Sequence, residues 1–399
     1  MDKDLKAKTI EELEEIVDLA TPTGVVGLGP SFAQRATQGK QQKYLAEYIF
    51  RFVQALGVTE ISQISPLSKA FRERLIEQGY YISQLKIIDK LTDPDGTVKY
   101  VFKLADGSGS TGSPSRAESR DRIETVLLFD ISSSQSPKLP TKDTRRRRTL
   151  CISTQVGCAM GCVFCATGRI KLKRNLTAGE IVDQVNFVCK DGVRITNVVY
   201  MGMGEPLQNY DAVVKSIRIL NHPAGKNIGI RRLTVSTCGV ASAIKKLADE
   251  NVHPRLAISL NAPTDALRTK LMPINAKFPI SDVLSAAKFY LLKTKQRVTF
   301  EYVLIKGVND AAIYAQTLAK LLKGSGFGVN PPHAWRINLI EYNPHPKCTF
   351  AAGSVEGIKR FSEILEKAGI KTTIRLRLGQ SINAACGQLG ADWTDDGKM

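Results

Sequence analysis

Residues 151–165 read CISTQVGCAMGCVFC, and within them Cys158, Cys162 and Cys165 are separated by three residues and then by two. Three thiolates in so short a loop can hold three irons of a 4Fe-4S cluster. Such cubanes usually take four cysteines, so a set of three leaves one iron open to bind a substrate. A structural zinc site would want a fourth Cys or His close by, commonly from a second two-ligand knuckle. No further Cys or His follows until Cys189. The blandest reading, three buried and inert cysteines, fits poorly with a loop punctuated by glycine. The spacing favours the cluster.

From Arg148 onward, short apolar strands alternate with helical stretches. RTLCIST leads into the cysteine loop, and TNVVYMGM, RRLTVST, RLAISLN, RVTFEYVLI and AWRINLIEYN follow. That alternation means a parallel sheet. Six strand–helix units are too few for a closed eight-stranded barrel, so the expected fold is α/β, an open (βα)6 partial TIM barrel. Thr177 and Glu180 in TAGE form a capping box that opens the helix after the cysteine loop. In barrels the chemistry sits at the carboxyl ends of the strands. The cysteine loop falls there, as do GMGEP at 202–206, Ser236, Ser259, Asn261 and Asn343.

Upstream, residues 1–82 are expected to form a helical module. Residues 9–20 make an acidic helix. In QQKYLAEYIFRFVQAL, Tyr44, Leu45, Tyr48, Ile49, Phe52, Val53 and Leu56 recur at steps of three and four, one apolar face. Pro66 opens a third helix with Ala70, Phe71 and Leu75 inward, ended by Gly79. Interleaved basic and aromatic side chains suit contact with RNA, or simply a packed subdomain. Residues 83–147 read as a β-extension: a hairpin about Asp93-Pro94-Asp95-Gly96, a Gly/Ser-rich loop at 107–120, a strand at 123–129 and a polar linker. Residues 148–399 complete the barrel and carry Cys386 in a C-terminal loop.

The 399 residues contain no apolar run of about 18, so no membrane span is expected. The N-terminus lacks the apolar core of a secretory signal. A cytoplasmic location follows, where the eight cysteines serve metal binding or chemistry rather than structural disulfides. The net charge of +18 asks for a polyanionic partner, with nucleic acid the default and a merely soluble basic surface the alternative. Arg145, Arg146, Arg147 and Arg148 abut the cysteine loop, where they suit phosphate contacts. Nothing points to an obligate dimer, so a monomer is expected.

In order along the chain, RRTLCISTQVGCAMGCVFCATG, MGMGEPL, LTVSTCGV, AISLNAP, YNPHP and INAACGQL resemble the RlmN/Cfr family of radical S-adenosylmethionine (SAM) RNA methyltransferases. The likeness covers essentially the whole chain. It implies that Cys158, Cys162 and Cys165 ligate the cluster and that SAM chelates the open iron. Gly204 and Glu205 would meet the SAM amino group, with Ser236, Ser259, Leu260, Asn261 and Asn343 completing the site. Cys386 would be methylated first, Cys151 would later close a transient disulfide with it, and Glu124 would accept a proton.

The resemblance also implies the reaction. One SAM methylates the Cys386 thiolate by displacement. A second is cleaved by an electron from the cluster, supplied by a donor such as flavodoxin or ferredoxin, and the methyl carbon then adds to adenine. The implied target is carbon 2 of an adenosine in 23S ribosomal RNA, with tRNA as a second substrate. The loop GCAMGCVFCATG reads closer to the RlmN branch than to the Cfr branch, which methylates carbon 8. Asn261 stands where the family carries histidine, and GQSIN at 379–383 is less acidic than the family pattern. The alternative of another class is a non-catalytic RNA-binding protein with a metal-stabilised loop, which would need neither Cys151 nor Cys386.

Overall fold

The computed structural model describes residues 2–20, 38–104, 122–129, 147–327, 334–346, 348–375 and 377–393. The Gly/Ser-rich loop at 107–120, the polar linker from residue 130 and Arg145 and Arg146 lie outside the described residues. Two compact units divide the chain: Met1–Lys86 with Leu176–Ile195 and Asp211–Gly229, and Ile87–Asn175 with Thr196–Tyr210 and Ile230–Met399.

The first unit is helical. Its N-terminal segment contributes Ile10–Ala20, Gln38–Phe50 and Lys69–Glu77, and the later segments contribute Ala178–Lys190 and most of Tyr210–Asn221. Leu13, Ile16, Val17 and Ala20 form the buried stripe of the first helix. On the second, Leu45, Ile49, Phe50 and Val53 are buried, but Tyr44 and Leu56 are exposed, contrary to the single stripe expected. The helix passes into a π-type turn over Arg51–Leu56. Bonding from i to i+5 widens the turn, so a stripe spaced for 3.6 residues drifts off the core. Ala70 is likewise exposed, leaving Phe71 and Leu75 as the inner side of the third helix. Ser68 caps that helix, accepting from the Phe71 N–H at 3.2 Å. The Thr177–Glu180 capping box forms as expected. Lys6 and Asp183 make a buried ion pair at 2.5 Å, and Asp183 also accepts from the Leu85 N–H.

The second unit is built on a ten-stranded sheet. It contains β1 (Lys86–Thr92), β2 (Val98–Lys103), β3 (Arg122–Phe129) and β4 (Arg148–Cys151). The short β5 (Gln155–Val156) and β6 (Arg174–Asn175) pair with each other, bracketing the cysteine loop. Then come β7 (Asn197–Tyr200), β8 (Leu233–Thr237), β9 (Arg255–Ser259), β10 (Val298–Leu304), β11 (Trp335–Glu341) and β12 (Thr372–Arg375). The order is β1-β2-β3-β4-β7-β8-β9-β10-β11-β12. From β4 to β12 every pairing is parallel, while β2, β3 and β4 pair antiparallel. The six expected strand–helix units are present, and β12 adds a seventh parallel strand. The order is linear with two edges, so the sheet is open, as expected.

Alternation along the parallel strands is what builds the site. Leu256 and Ile258 on β9, Phe300 and Tyr302 on β10, and Ile337 and Leu339 on β11 are fully buried. Their alternates, Arg255 and Ser259, Thr299 and Glu301, Arg336 and Asn338, line cavities on the other face. A parallel sheet covered on both faces would read apolar throughout; this one keeps a polar interior. Among the described residues no helix is long and apolar enough to cross a membrane.

Candidate active site

Two cavities meet on that interior face. One, of about 170 Å³, is lined by Cys158, Cys162 and Cys165 together with Gly204, Glu205, Ser236, Ser259 and Asn261. Cys238, Glu301, Tyr342 and Arg375 also border it. The other, of about 360 Å³, is lined by Cys151, Asn343 and the arginines Arg147, Arg375 and Arg377. Cys165, Arg375 and Cys386 belong to both walls.

The cysteine loop is shaped by its backbone. The Cys158 N–H donates to Ile170 O at 2.9 Å and the Cys165 N–H to Cys162 O at 3.1 Å. Gly157 turns at φ +75, and a Cβ there would stand 2.3 Å from Lys171 O. Burial pushes all three thiols up, Cys158 to about 12. Neutral thiols tolerate such a site, and a bound cation would deprotonate them as ligands. Among the described residues no three Cys, His, Asp or Glu side chains converge on one metal-ion position. Ligands that each meet a different iron of a cluster need no such convergence.

Across the cavity, Gly204 has φ +102, and a Cβ would lie 2.6 Å from Gln155 Cβ. Only glycine permits this close approach. Glu205 is buried, its carboxylate accepting from the Cys238 N–H at 2.7 Å and the Leu207 N–H at 3.0 Å. Burial pushes its pKa up against those bonds. Asn261 sits at φ +58, a conformation asparagine tolerates better than most residues. Its amide oxygen accepts from the Val303 N–H at 2.9 Å and its nitrogen meets Met272 Sδ at 3.2 Å. The Tyr342 hydroxyl is buried with no hydrogen-bond partner among the described residues. An unmet polar atom, a glycine cradle and three thiols around one cavity fit a cluster with a small polar co-substrate.

Cys386 is exposed on a turn held from several sides. Asn343 Nδ2 donates to Cys386 O at 3.0 Å, the Ala166 N–H to Gly387 O at 2.8 Å, and Thr167 Oγ1 to Leu389 O at 2.7 Å. Cys151 lies partly buried at the end of β4, opposite Val126 on β3 and Val199 on β7. Burial, then the neighbouring Cys386, pushes its thiol up to about 12. All eight cysteines are free. The disulfide expected between Cys151 and Cys386 is therefore not a standing element of the fold: one thiol is fixed in a strand, the other carried on an exposed turn.

Two expected site residues stand outside the cavity walls. Leu260 is buried, and its carbonyl accepts from Arg268 Nε at 3.1 Å. Glu124, buried in β3, accepts from Trp393 Nε1 at 2.9 Å and the Gly390 N–H at 3.1 Å, with Lys99 Nζ 4.0 Å away. Burial pushes its pKa up.

Sequence reasoning missed Arg268. It is fully buried, and its guanidinium donates to the carbonyls of Cys238, Ser259 and Leu260 and to Asn275 Oδ1. It thereby ties the ends of β8 and β9 where they meet the cavity. Nothing in the surrounding LRTKLMP distinguishes it from a surface arginine. Cys238, one residue past β8, and Glu301, within β10, were missed as wall residues as well: neither letter carries a mark of where the sheet turns it.

A parallel sheet with a three-cysteine loop after its first parallel strand, facing a polar cavity across the strand ends, defines a radical SAM enzyme. The model of the Radical SAM superfamily matches residues 152–315. A "Probable dual-specificity RNA methyltransferase RlmN" of Dictyoglomus thermophilum is 42% identical over 88% of this chain and 91% of its own. The "Dual-specificity RNA methyltransferase RlmN" of Syntrophobacter fumaroxidans is 40% identical over 88% and 93%. A crystal structure of a radical SAM methyltransferase from Sphaerobacter thermophilus superposes with a TM-score of 0.79 at 38% identity, covering 98% of this chain and all of that one. The chain belongs to the RlmN family of radical SAM methyltransferases.

Proposed function

We propose that this chain methylates carbon 2 of an adenosine in large-subunit ribosomal RNA, with tRNA as a second substrate. The observation that carries the reading is that Cys386 belongs to both cavity walls. A group loaded on its sulfur from the side of the three cysteines can be presented to a base on the side of Cys151. The names of the two relatives given above, both RlmN, and the cysteine-loop sequence favour carbon 2 over carbon 8.

When bound, the cluster and SAM supply the methyl group and the one-electron chemistry. Cys158, Cys162 and Cys165 would hold the cluster, and Gly204, Glu205, Ser236, Ser259, Leu260, Asn261 and Asn343 are assigned to SAM. Cys386 Sγ is the nucleophile, exposed and beside the Arg375 guanidinium. Cys151, held protonated by burial, does not compete for the methyl group. In the last step Cys151 gives up its thiol proton as its Sγ attacks Cys386 Sγ; the S–S bond forms, the bond from Cys386 sulfur to the product carbon breaks, and that carbon takes up a proton to become the methyl group. Glu124 is carried as proton acceptor on the family resemblance; it borders neither cavity, and its oxygens accept from Trp393 and Gly390. Arg147, Arg375 and Arg377 give the larger cavity the cations that RNA phosphates seek.

Mass spectrometry of nucleosides from ribosomal RNA and tRNA, with and without this protein in cells, tests the reading. Loss of 2-methyladenosine without it is expected, and the RNA fraction affected names the substrate. A missing 8-methyladenosine would move the protein to the other branch, and no change in either would overturn the proposal.

A further inference from the structure

A third cavity, of about 190 Å³, occupies the same interior face toward the amino ends of the strands. Arg255 opens β9, Arg297 immediately precedes β10, Arg336 is the second residue of β11, and Arg147 immediately precedes β4. Arg375 forms the wall nearest the active site. Against these five guanidinium groups stands one carboxylate, Glu301, so the lining is strongly cationic. The reaction described above uses none of Arg255, Arg297 and Arg336.

Arg147 is exposed and the other four are half-buried, so water screens their mutual repulsion only in part. Arginine does not shed its proton in proteins, so the repulsion cannot be relieved by titration. Among the described residues neither Arg255 nor Arg336 makes an ion pair or a side-chain hydrogen bond. The crowding registers in the proton affinities: burial and then Arg297, Arg147 and Arg336 push Arg255 down, and burial and then Arg336 push Arg297 down. Solvation by water alone is the plainer reading, but two details point to an anion of particular chemistry. The threonines Thr234, Thr299 and Thr373 add hydroxyls to the guanidinium forks, a donor set that matches tetrahedral oxyanions. Glu301 is 4% exposed, and its Oε2 has no hydrogen-bond partner, with Arg375 Nε 3.9 Å away. Its Oε1 is already taken by Asn338 Nδ2 at 2.8 Å and Thr299 Oγ1 at 3.1 Å. A fully deprotonated anion would face a bare carboxylate oxygen there. An anion that keeps one P–OH would instead donate to it.

We propose that this cavity binds phosphate in a protonated form, as inorganic phosphate or a phosphomonoester, with the arginines taking its charged oxygens and Glu301 Oε2 accepting from its hydroxyl. A phosphodiester of an RNA backbone lacks that hydroxyl, so it does not satisfy Glu301, although Arg147 and Arg375 border the larger cavity as well.

The test uses the full chain carrying its cluster. Equilibrium dialysis with radiolabelled phosphate at constant ionic strength is expected to give saturable binding that sulfate, lacking the proton, does not displace. In Arg336→Gln and in Arg255→Gln the apparent affinity is expected to fall at least tenfold. The thermal midpoint of either variant without phosphate should stay level or rise, because a repelling charge is gone. Competition by adenosine monophosphate would identify a monoester as an accepted source, and its failure would identify inorganic phosphate; both uphold the site. Absence of saturable binding to the unaltered chain, equal displacement by sulfate, or undiminished affinity in both variants would overturn it.

Discussion

Asn343, two residues beyond β11, donates its side-chain amide to the carbonyl of Cys386 at 3.0 Å. Its oxygen accepts from Arg377 Nε at 3.2 Å, and Arg377 Nη1 pairs with Glu341 at 2.7 Å. A strand end is thus linked through two side chains to the turn that presents the nucleophile. Asn343→Ala removes the central link. A hydrogen bond of about 1 kcal/mol net, made partly to a cation, corresponds to roughly a five- to tenfold lower rate of Cys386 methylation. The time course of methyl incorporation into the Cys386 peptide, followed by mass spectrometry after SAM is added, measures it.

The two chemical thiols should separate by reactivity. Cys386 is exposed, whereas the Cys151 thiol is pushed up to about 12. Iodoacetamide at pH 8 should therefore label Cys386 and spare Cys151. The same shift gives a stability slope. Below about pH 9 the folded and unfolded chains both hold the Cys151 proton, so it contributes no pH dependence. From about 9 to about 12 only the unfolded chain releases it, so stability falls as pH rises. Urea midpoints should accordingly drop more steeply above pH 9 for the unaltered chain than for Cys151→Ala.

Arg268→Met should weaken the fold while leaving the three cluster cysteines themselves unaltered. It strips donors from four carbonyls, those of Cys238 and Leu260 buried and those of Ser259 and Phe278 partly so, and from Asn275. Stranding buried acceptors at about 1–3 kcal/mol each, with partial relaxation, gives a loss of about 3 kcal/mol. Urea denaturation measures the loss, and iron content per chain should fall in parallel.

Gly204→Ala puts a methyl 2.6 Å from Gln155 Cβ at φ +102. Strain of this kind costs roughly 1–3 kcal/mol, and the segment can escape it only by moving off the cavity wall. SAM affinity, measured by equilibrium dialysis, should fall at least tenfold, while the three cysteines still bind iron.

Much of this was legible because parallel topology does the gathering. Once strand–helix alternation places GMGEP, Ser236, Ser259, Asn261 and Asn343 at strand carboxyl ends, the sheet itself brings them to one rim. Two cavities there take in all three cluster cysteines, Cys151 and Cys386. Leu260 shares the rim in sequence but points away from it, since neighbours on a strand face opposite sides. Arg268, Arg255 and Arg336 were illegible for a related reason: a charged letter carries no mark of burial until its surroundings are known. Leu56 misled because the helix carrying it changes its period midway, and Tyr44 because it stands one step off the buried line of Leu45, Ile49 and Val53. β12 is only four residues long, too short for alternation to stand out.

The central claim is that Cys386 carries the methyl carbon to the base and Cys151 frees it. Cys151→Ala, purified with its cluster and incubated with ribosomal RNA, SAM and a reductant, tests this directly on a denaturing gel followed by peptide mass spectrometry. The expected result is a covalent protein–RNA adduct through Cys386, with none in the Cys151→Ala, Cys386→Ala double variant. Normal turnover by Cys151→Ala without an adduct would contradict the account.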